Sequence, residues 1–280
     1  MITAHTVYAF CSGNAGGNPA GVVLDAERIS ESRRLEIARV MNFSETAFVS
    51  PSEKAAYKID FYTPTKRIAD CGHATVATFA LLKSVNPSMT ESSKEILGGH
   101  VRKILFDGSQ VFMEQPLAQV EAISMSELPL EHLFSKHSGV VGGSISRHDV
   151  GFLNLEVQTD HDLKVLTPNF HAITQFSNEQ DLVGITAYCD WGKDGIAARS
   201  RMFAPAYGVN EECATGMATG CLASQFIHQG KGNEFTIEQG RHMSPSSPSL
   251  IYAHLNNEEE TVMVGGHART APNENRGFDF

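Results

Sequence analysis

Along most of this chain apolar and polar positions alternate at short range, and the elements they predict are mostly strands. Residues 2 to 11 and 20 to 24 read as strands around the Gly/Asn/Pro-rich loop SGNAGGNPAG. SESRRLEIARVM (30 to 41) reads as a helix, with Ser30 placed to cap it and Leu35, Ala38 and Met41 at helical spacing. TAFVS and YKIDFYT follow as strands, and Tyr57, Ile59 and Phe61 share one face of the second. VRKILFDGSQVFMEQ reads as a hairpin turning at Asp107-Gly108. SMSELPLEHLF reads as a helix running on toward a loop, HSGVVGG, and TPNFHAITQF as a short helix with Pro168 in its first turn. GFLNLEVQ, LVGITAYC, GIAARSRMF, EFTIEQ, SLIYAHL and TVMVGG read as strands. The closing APNENRGFDF reads as a polar tail whose two phenylalanines are able to dock.

Two segments break the amphipathic rule. HATVATFALL and ATGMATGCLASQF are small or apolar nearly all round, so a helix in either has no face for water. Such a helix is enclosed by other structure, and the strands on each side of it supply a curved sheet. The expected fold is α+β: two similar domains, each a β-barrel-like sheet wrapped around one central helix. Residues 1–117 form the first and 118–280 the second, and a return of the C-terminal tail to the first is left open.

Composition narrows the function. A chain of 280 residues, 41% hydrophobic, has material for a sizeable core. A net charge of −10 with no Lys/Arg cluster argues against nucleic-acid and anionic-membrane partners. MITAHTVYAF lacks the features of a signal peptide, and no apolar run is long enough to span a bilayer. Five cysteines without regular spacing fit reduced thiols, so a cytoplasmic location is expected.

The two enclosed helices also carry the candidate chemistry. Cys71 and His73 open the first; Glu212 and Cys213 stand before the second. A helix start presents unpaired backbone N–H groups and the positive end of a dipole, which suits a carboxylate, and it is expected to lower the pKa of a cysteine placed there. Two such starts facing across a cleft are suited to proton transfer at carbon beside a carboxylate, where the difficulty is the carbanion. Cys11, Cys189 and Cys221 read as packing residues. Glu45 shares parity with Phe43, Ala47 and Val49, so an extended segment turns its carboxylate inward, where desolvation raises its pKa. The histidines show no metal-ligand spacing, and GNAGGNPAG has neither Walker nor Rossmann form. No metal and no cofactor are implied, and the loop serves to place Asn18 near the cleft.

The motifs GNPAGVV, NFSETAFV, CGHATVA, SRMFAPAYGVNEECATGMATG and the Ser/Pro-rich segment near 244 to 249 resemble the PhzF-like family of phenazine-biosynthesis isomerases, within the diaminopimelate epimerase fold. The resemblance implies two such domains with the active site in the cleft between them, and Glu45 as proton shuttle with His73 beside it. Glu212 stands where the family has aspartate, and Met217 where it has serine or asparagine. Asn18, Gly72, Ala74, Thr215, Gly216 and Met217 are the substrate-binding candidates. Cys71 and Cys213 look like the paired cysteines of diaminopimelate epimerase and proline racemase. The leading expectation is a cofactor-independent isomerase acting on a small carboxylate. A two-cysteine epimerase or racemase, a cysteine-dependent hydrolase or transferase, and a non-catalytic carboxylate-binding protein stand as alternatives, and a homodimer is left open.

Overall fold

The computed structural model describes residues 1–279. The chain forms two compact units, one from Met1–Glu114 with the stretch from Gly265 onward, the other from Gln115–Val264. In order, the first part runs β1 (Ile2–Ala9), β2 (Asn18–Val23), α1 (Glu31–Met41), β3 (Thr46–Ser50), β4 (Tyr57–Tyr62), β5 (Arg67–Ile68), α2 (Gly72–Val85), β6 (Glu91–Glu95), β7 (Val101–Asp107) and β8 (Gln110–Pro116). The middle runs β9 (Gln119–Ile123), α3 (Leu130–Leu133), β10 (Phe134–Lys136), β11 (Val140–Arg147), β12 (Gly151–Val157), α4 (Asp160–Val165), β13 (Thr167–Pro168) and α5 (Phe170–Glu179). It continues through β14 (Gly184–Lys193), β15 (Ile196–Ala204), β16 (Val209–Glu212), α6 (Gly216–His228), β17 (Glu234–Gln239), β18 (Ser249–Asn256), β19 (Thr261–Thr270) and β20 (Arg276–Phe278).

In the first unit the ladder runs β1–β2–β3–β4–β6–β7–β8 and closes through β19, which pairs with both β8 and β1. The result is a barrel around α2, which packs against β1, β2 and β3. Thr75 and Thr78 are tolerated in this dry helix because their hydroxyls donate back to the carbonyls of Cys71 and Ala74. Outside the barrel lies α1, capped by Ser30 and ended by Asn42 in the left-handed region. In the second unit the sheet runs β9–β11–β12–β14–β15–β17–β18. Its central helix α6 touches β9 at one edge and β18 at the other, so the sheet curls around it. On the opposite face, Leu163, Leu166 and Ile173, from and beside α4 and α5, fill a separate core.

Several local expectations are corrected. Pro129 splits the SMSELPLEHLF helix into a 3-10 turn (Met125–Glu127) and the single turn of α3, because proline cannot donate an interior helical hydrogen bond. HSGVVGG is no loop beyond Gly139: Val140 opens the eight-residue strand β11. Pro168 lies outside α5, in the short strand β13, and Asn169 caps the helix instead. Strand β4 is not one-sided, since Asp60 is buried along with Ile59 and Phe61 and is neutralised by Arg34 and Arg67. Of the two phenylalanines in the closing tail, Phe278 lies on β20, which pairs with β1, and packs against the α1 core, while Phe280 lies outside the described residues.

Candidate active site

In the first unit three ionisable side chains converge. Asn42 ends α1, and the chain turns through Phe43 and Ser44 to Glu45, just before β3. The Gly21 N–H donates to the Glu45 carbonyl at 3.2 Å and fixes its backbone. Gly21 is required there: a Cβ would meet Thr46 Oγ1 at 2.7 Å, so β2 and β3 approach this closely only without a side chain. Glu45 is 9% exposed. Burial pushes its carboxyl up to about 7, while hydrogen bonds with Ser44 and Cys71 pull weakly the other way.

His73 is the second residue of α2 and is buried. Its Nε2 lies 3.5 Å from Glu45 Oε2 and 3.4 Å from Ser44 Oγ, and its Nδ1 lies 3.4 Å from Cys71 Sγ. Burial lowers its pKa to about 3, so the ring is neutral and its contact with Glu45 is no ion pair near neutral pH. Cys71 occupies the helix N-cap position, but its thiol makes no cap hydrogen bond and instead faces the imidazole.

Behind this group stands Lys94 on β6, fully buried at 0% exposure. Its ammonium is paired with Asp70 Oδ1 and donates to Thr75 Oγ1 at 2.8 Å. Asp70 Oδ1 also accepts the Cys71 N–H at 2.7 Å, and Thr75 Oγ1 donates to the Cys71 carbonyl at 2.6 Å.

The start of α6, in the second unit, is held differently. Gln239, at the end of β17, donates from Nε2 to the Glu212 carbonyl at 2.7 Å and to Thr215 Oγ1 at 3.2 Å. It also accepts the Thr215 N–H at 3.2 Å. Gln115 donates to the Gly216 carbonyl at 3.1 Å. Gly240 has a φ of +83°, and a Cβ there would strike the carbonyls of Ser247 and Cys213. Glu212 and Met217 are buried.

The expectation that a helix start lowers the cysteine pKa fails at Cys213. Burial, and then the neighbouring Glu212 carboxylate, push the thiol up to about 12. The helix itself begins only at Gly216, with Thr215 as N-cap, so Cys213 stands outside the turn where the dipole acts.

The expected site residues thus gather in two sets. Glu45, Cys71 and His73 meet in the first unit, with Gly72 and Ala74 on the same helical turn. Glu212, Cys213, Thr215, Gly216 and Met217 cluster in the second. Asn18 is buried at the start of β2. Asp70, Lys94, Ser44 and Gln239 were not singled out by sequence. Ser44 lay within the NFSETAFV motif, and Gln239 carried a signal of its own, sharing inward parity with Phe235 and Ile237 on β17.

Tertiary folding also makes a donor group that spacing along the chain does not reveal. One ligand-type atom from each of Glu45, Cys71 and His73 lies within 4.8 Å of the others, a set able to hold a metal ion. Cys71 faces Nδ1 of the ring, however, whereas Glu45 faces Nε2, so one cation cannot use all three existing contacts. The arrangement is better suited to passing protons. Among the described residues, no helix is long and apolar enough to cross a membrane.

A family model described as phenazine biosynthesis-like protein matches residues 7–273. The chain is 31% identical over 289 residues to the trans-2,3-dihydro-3-hydroxyanthranilate isomerase of Pseudomonas chlororaphis, covering 94% of each chain. It is 29% identical over 290 residues to the uncharacterized isomerase YddE of Salmonella typhimurium, again covering 94% of each. The crystal structure of a PhzF-family phenazine biosynthesis protein from Bacillus anthracis matches with a TM-score of 0.85 at 22% identity, covering 100% of this chain and 99% of that one. At that identity the likeness establishes the fold, the α+β arrangement of sheets around central helices.

Proposed function

The chain belongs to the phenazine biosynthesis-like family, and on that premise we propose that it is a cofactor-independent isomerase that moves a proton on a small carboxylate, with Glu45 as the carrier. The observation behind this reading is a buried carboxyl held near pKa 7 beside a neutral imidazole. A group with that pKa is about half protonated at neutral pH, so it takes a proton from carbon and gives one back with nearly equal ease. His73, kept neutral, supplies a hydrogen-bonding partner to Glu45 and Ser44 without a charge that would trap the carboxylate as an ion pair. The first-turn N–H groups of α2, at Gly72 and Ala74, are suited to a substrate carboxylate, whose negative charge grows as the proton leaves.

The substrate class follows from the Pseudomonas chlororaphis relative, whose name gives it a cyclic amino-carboxylate. The test is hydrogen exchange followed by NMR in D2O, with trans-2,3-dihydro-3-hydroxyanthranilate and other small carboxylates. Deuterium entering carbon with wild type but not with Glu45→Gln supports the reading. Exchange that survives Glu45→Gln and is lost in Cys71→Ser assigns the proton to the thiol and overturns it.

The two-cysteine epimerase is the second reading, because the Cys71 thiol touches both His73 and Glu45. Cys213 weighs against it: a thiol with a pKa near 12 is almost wholly protonated at neutral pH and is a poor base.

A further inference from the structure

We propose that Lys94 is a positioning residue of the acid/base centre, holding the turn that aims Cys71 and His73 at Glu45. The proposal rests on the proton-transfer reading of that centre. A lysine with no exposed surface is rare, and a buried ion pair is by itself weak support for stability. What distinguishes this one is where its hydrogen bonds go. Lys94 Nζ binds two side chains, Asp70 and Thr75, and those two bracket one residue: Asp70 accepts the Cys71 N–H, and Thr75 donates to the Cys71 carbonyl.

The ammonium therefore closes a ring around the Cys71 peptide groups. With both sides of that residue tied, its thiol is fixed 3.4 Å from His73 Nδ1, and the ring is fixed with Nε2 toward Ser44 and Glu45. The remaining contacts of Lys94 are apolar or soft, with Met113 Sδ at 3.9 Å and the Phe61 ring at 5.3 Å. Burial pulls the Lys94 pKa below the usual lysine range, and Asp70 and then Cys71 act against that pull in favour of the ammonium.

The test uses the full chain and two variants. Lys94→Met removes the charge at similar length. Lys94→Met/Asp70→Asn removes both charges while leaving an amide oxygen to accept the Cys71 N–H. Two readouts are taken: the 15N NMR signals of the His73 ring, assigned by their loss in His73→Gln, and turnover of trans-2,3-dihydro-3-hydroxyanthranilate in D2O. The expected result is folded protein, shifted His73 ring signals, and kcat lowered by about tenfold or more with KM nearly unchanged, as for a catalytic group displaced by a fraction of an ångström. Folded variants with wild-type His73 signals and wild-type kcat overturn the proposal. Failure of both variants to fold also overturns it, by assigning Lys94 to stability alone. The NMR arm needs no substrate, so if the wild type does not turn over this compound the proton-transfer reading fails for it while the ring signals still decide the role of Lys94.

Discussion

The two units each enclose a helix of small residues, yet the starts of those helices are built on opposite electrostatic plans. At Gly72 the turn is ionic: Asp70 and Lys94 stand behind it, and Glu45, Cys71 and His73 meet in front. At Gly216 the turn is held by the neutral amides of Gln239 and Gln115, and its thiol is kept protonated by burial and by Glu212. Helices of similar small-residue character therefore begin in different electrostatic surroundings. Neighbouring strands and loops set these through the side chains they deliver.

The largest expected effect is at the ionic start. Glu45→Gln lowers kcat for proton exchange by about 10³-fold, within the range for removal of a general acid/base, measured by NMR in D2O. A smaller loss there than at Cys213 would reverse the comparison.

The pH dependence of stability sharpens it. Glu45 is held near pKa 7 in the folded chain against 4.5 for the unconstrained group, so the folded state binds the extra proton between those values. The stability it contributes is full below about pH 4.5 and lost as pH rises through about 7. His73 has the opposite sign: its contribution is full above about pH 6.5 and lost as pH falls through about 3. Denaturant unfolding of wild type and Glu45→Gln across this range isolates the first effect. The variant gains, relative to wild type, up to about 3 kcal/mol above pH 7 compared with below pH 4.5.

Next in size is the neutral clasp. Gln239→Leu deletes three hydrogen bonds at the Glu212–Thr215 turn and costs about 1–3 kcal/mol in urea unfolding. Its effect on stability is expected to show no dependence on pH between 5 and 8 beyond that of wild type, to within about 0.5 kcal/mol. The smallest effect is expected from Cys213→Ala, which changes kcat by no more than about threefold, or roughly 0.7 kcal/mol of transition-state free energy. A loss there matching that of Glu45→Gln would break the asymmetry and restore the paired-cysteine reading.

Much of the fold was legible because enclosure leaves a mark on composition: HATVATFALL and ATGMATGCLASQF have no polar face, and both are the central helices. The burial of Glu45 was legible for a partly different reason than the one that acts. Its parity with Ala47 and Val49 pointed inward, but the strand begins only at Thr46, and the close approach of Gly21 to Thr46 seats the residue before it. Lys94 was hidden in ESSKE, a polar stretch whose composition gives no sign of burial; its burial depends on a counter-ion at Asp70, 24 residues earlier. The Cys213 thiol was misjudged because the dipole argument ignores where the helix begins and how fully the thiol is desolvated.

The closing of the first barrel by β19 has a consequence for how the protein is made. Residues 1–114 leave the ribosome with β1 and β8 lacking the strand that joins them, and residues 265–270 follow only after the whole second unit. At about 5–20 residues per second, that interval lasts on the order of ten seconds or more, during which two strand edges stay unpaired. The second unit, continuous in sequence, has all its strands available first. Cotranslational folding is therefore expected to run against chain order, with the barrel that bears Glu45 the last to lock.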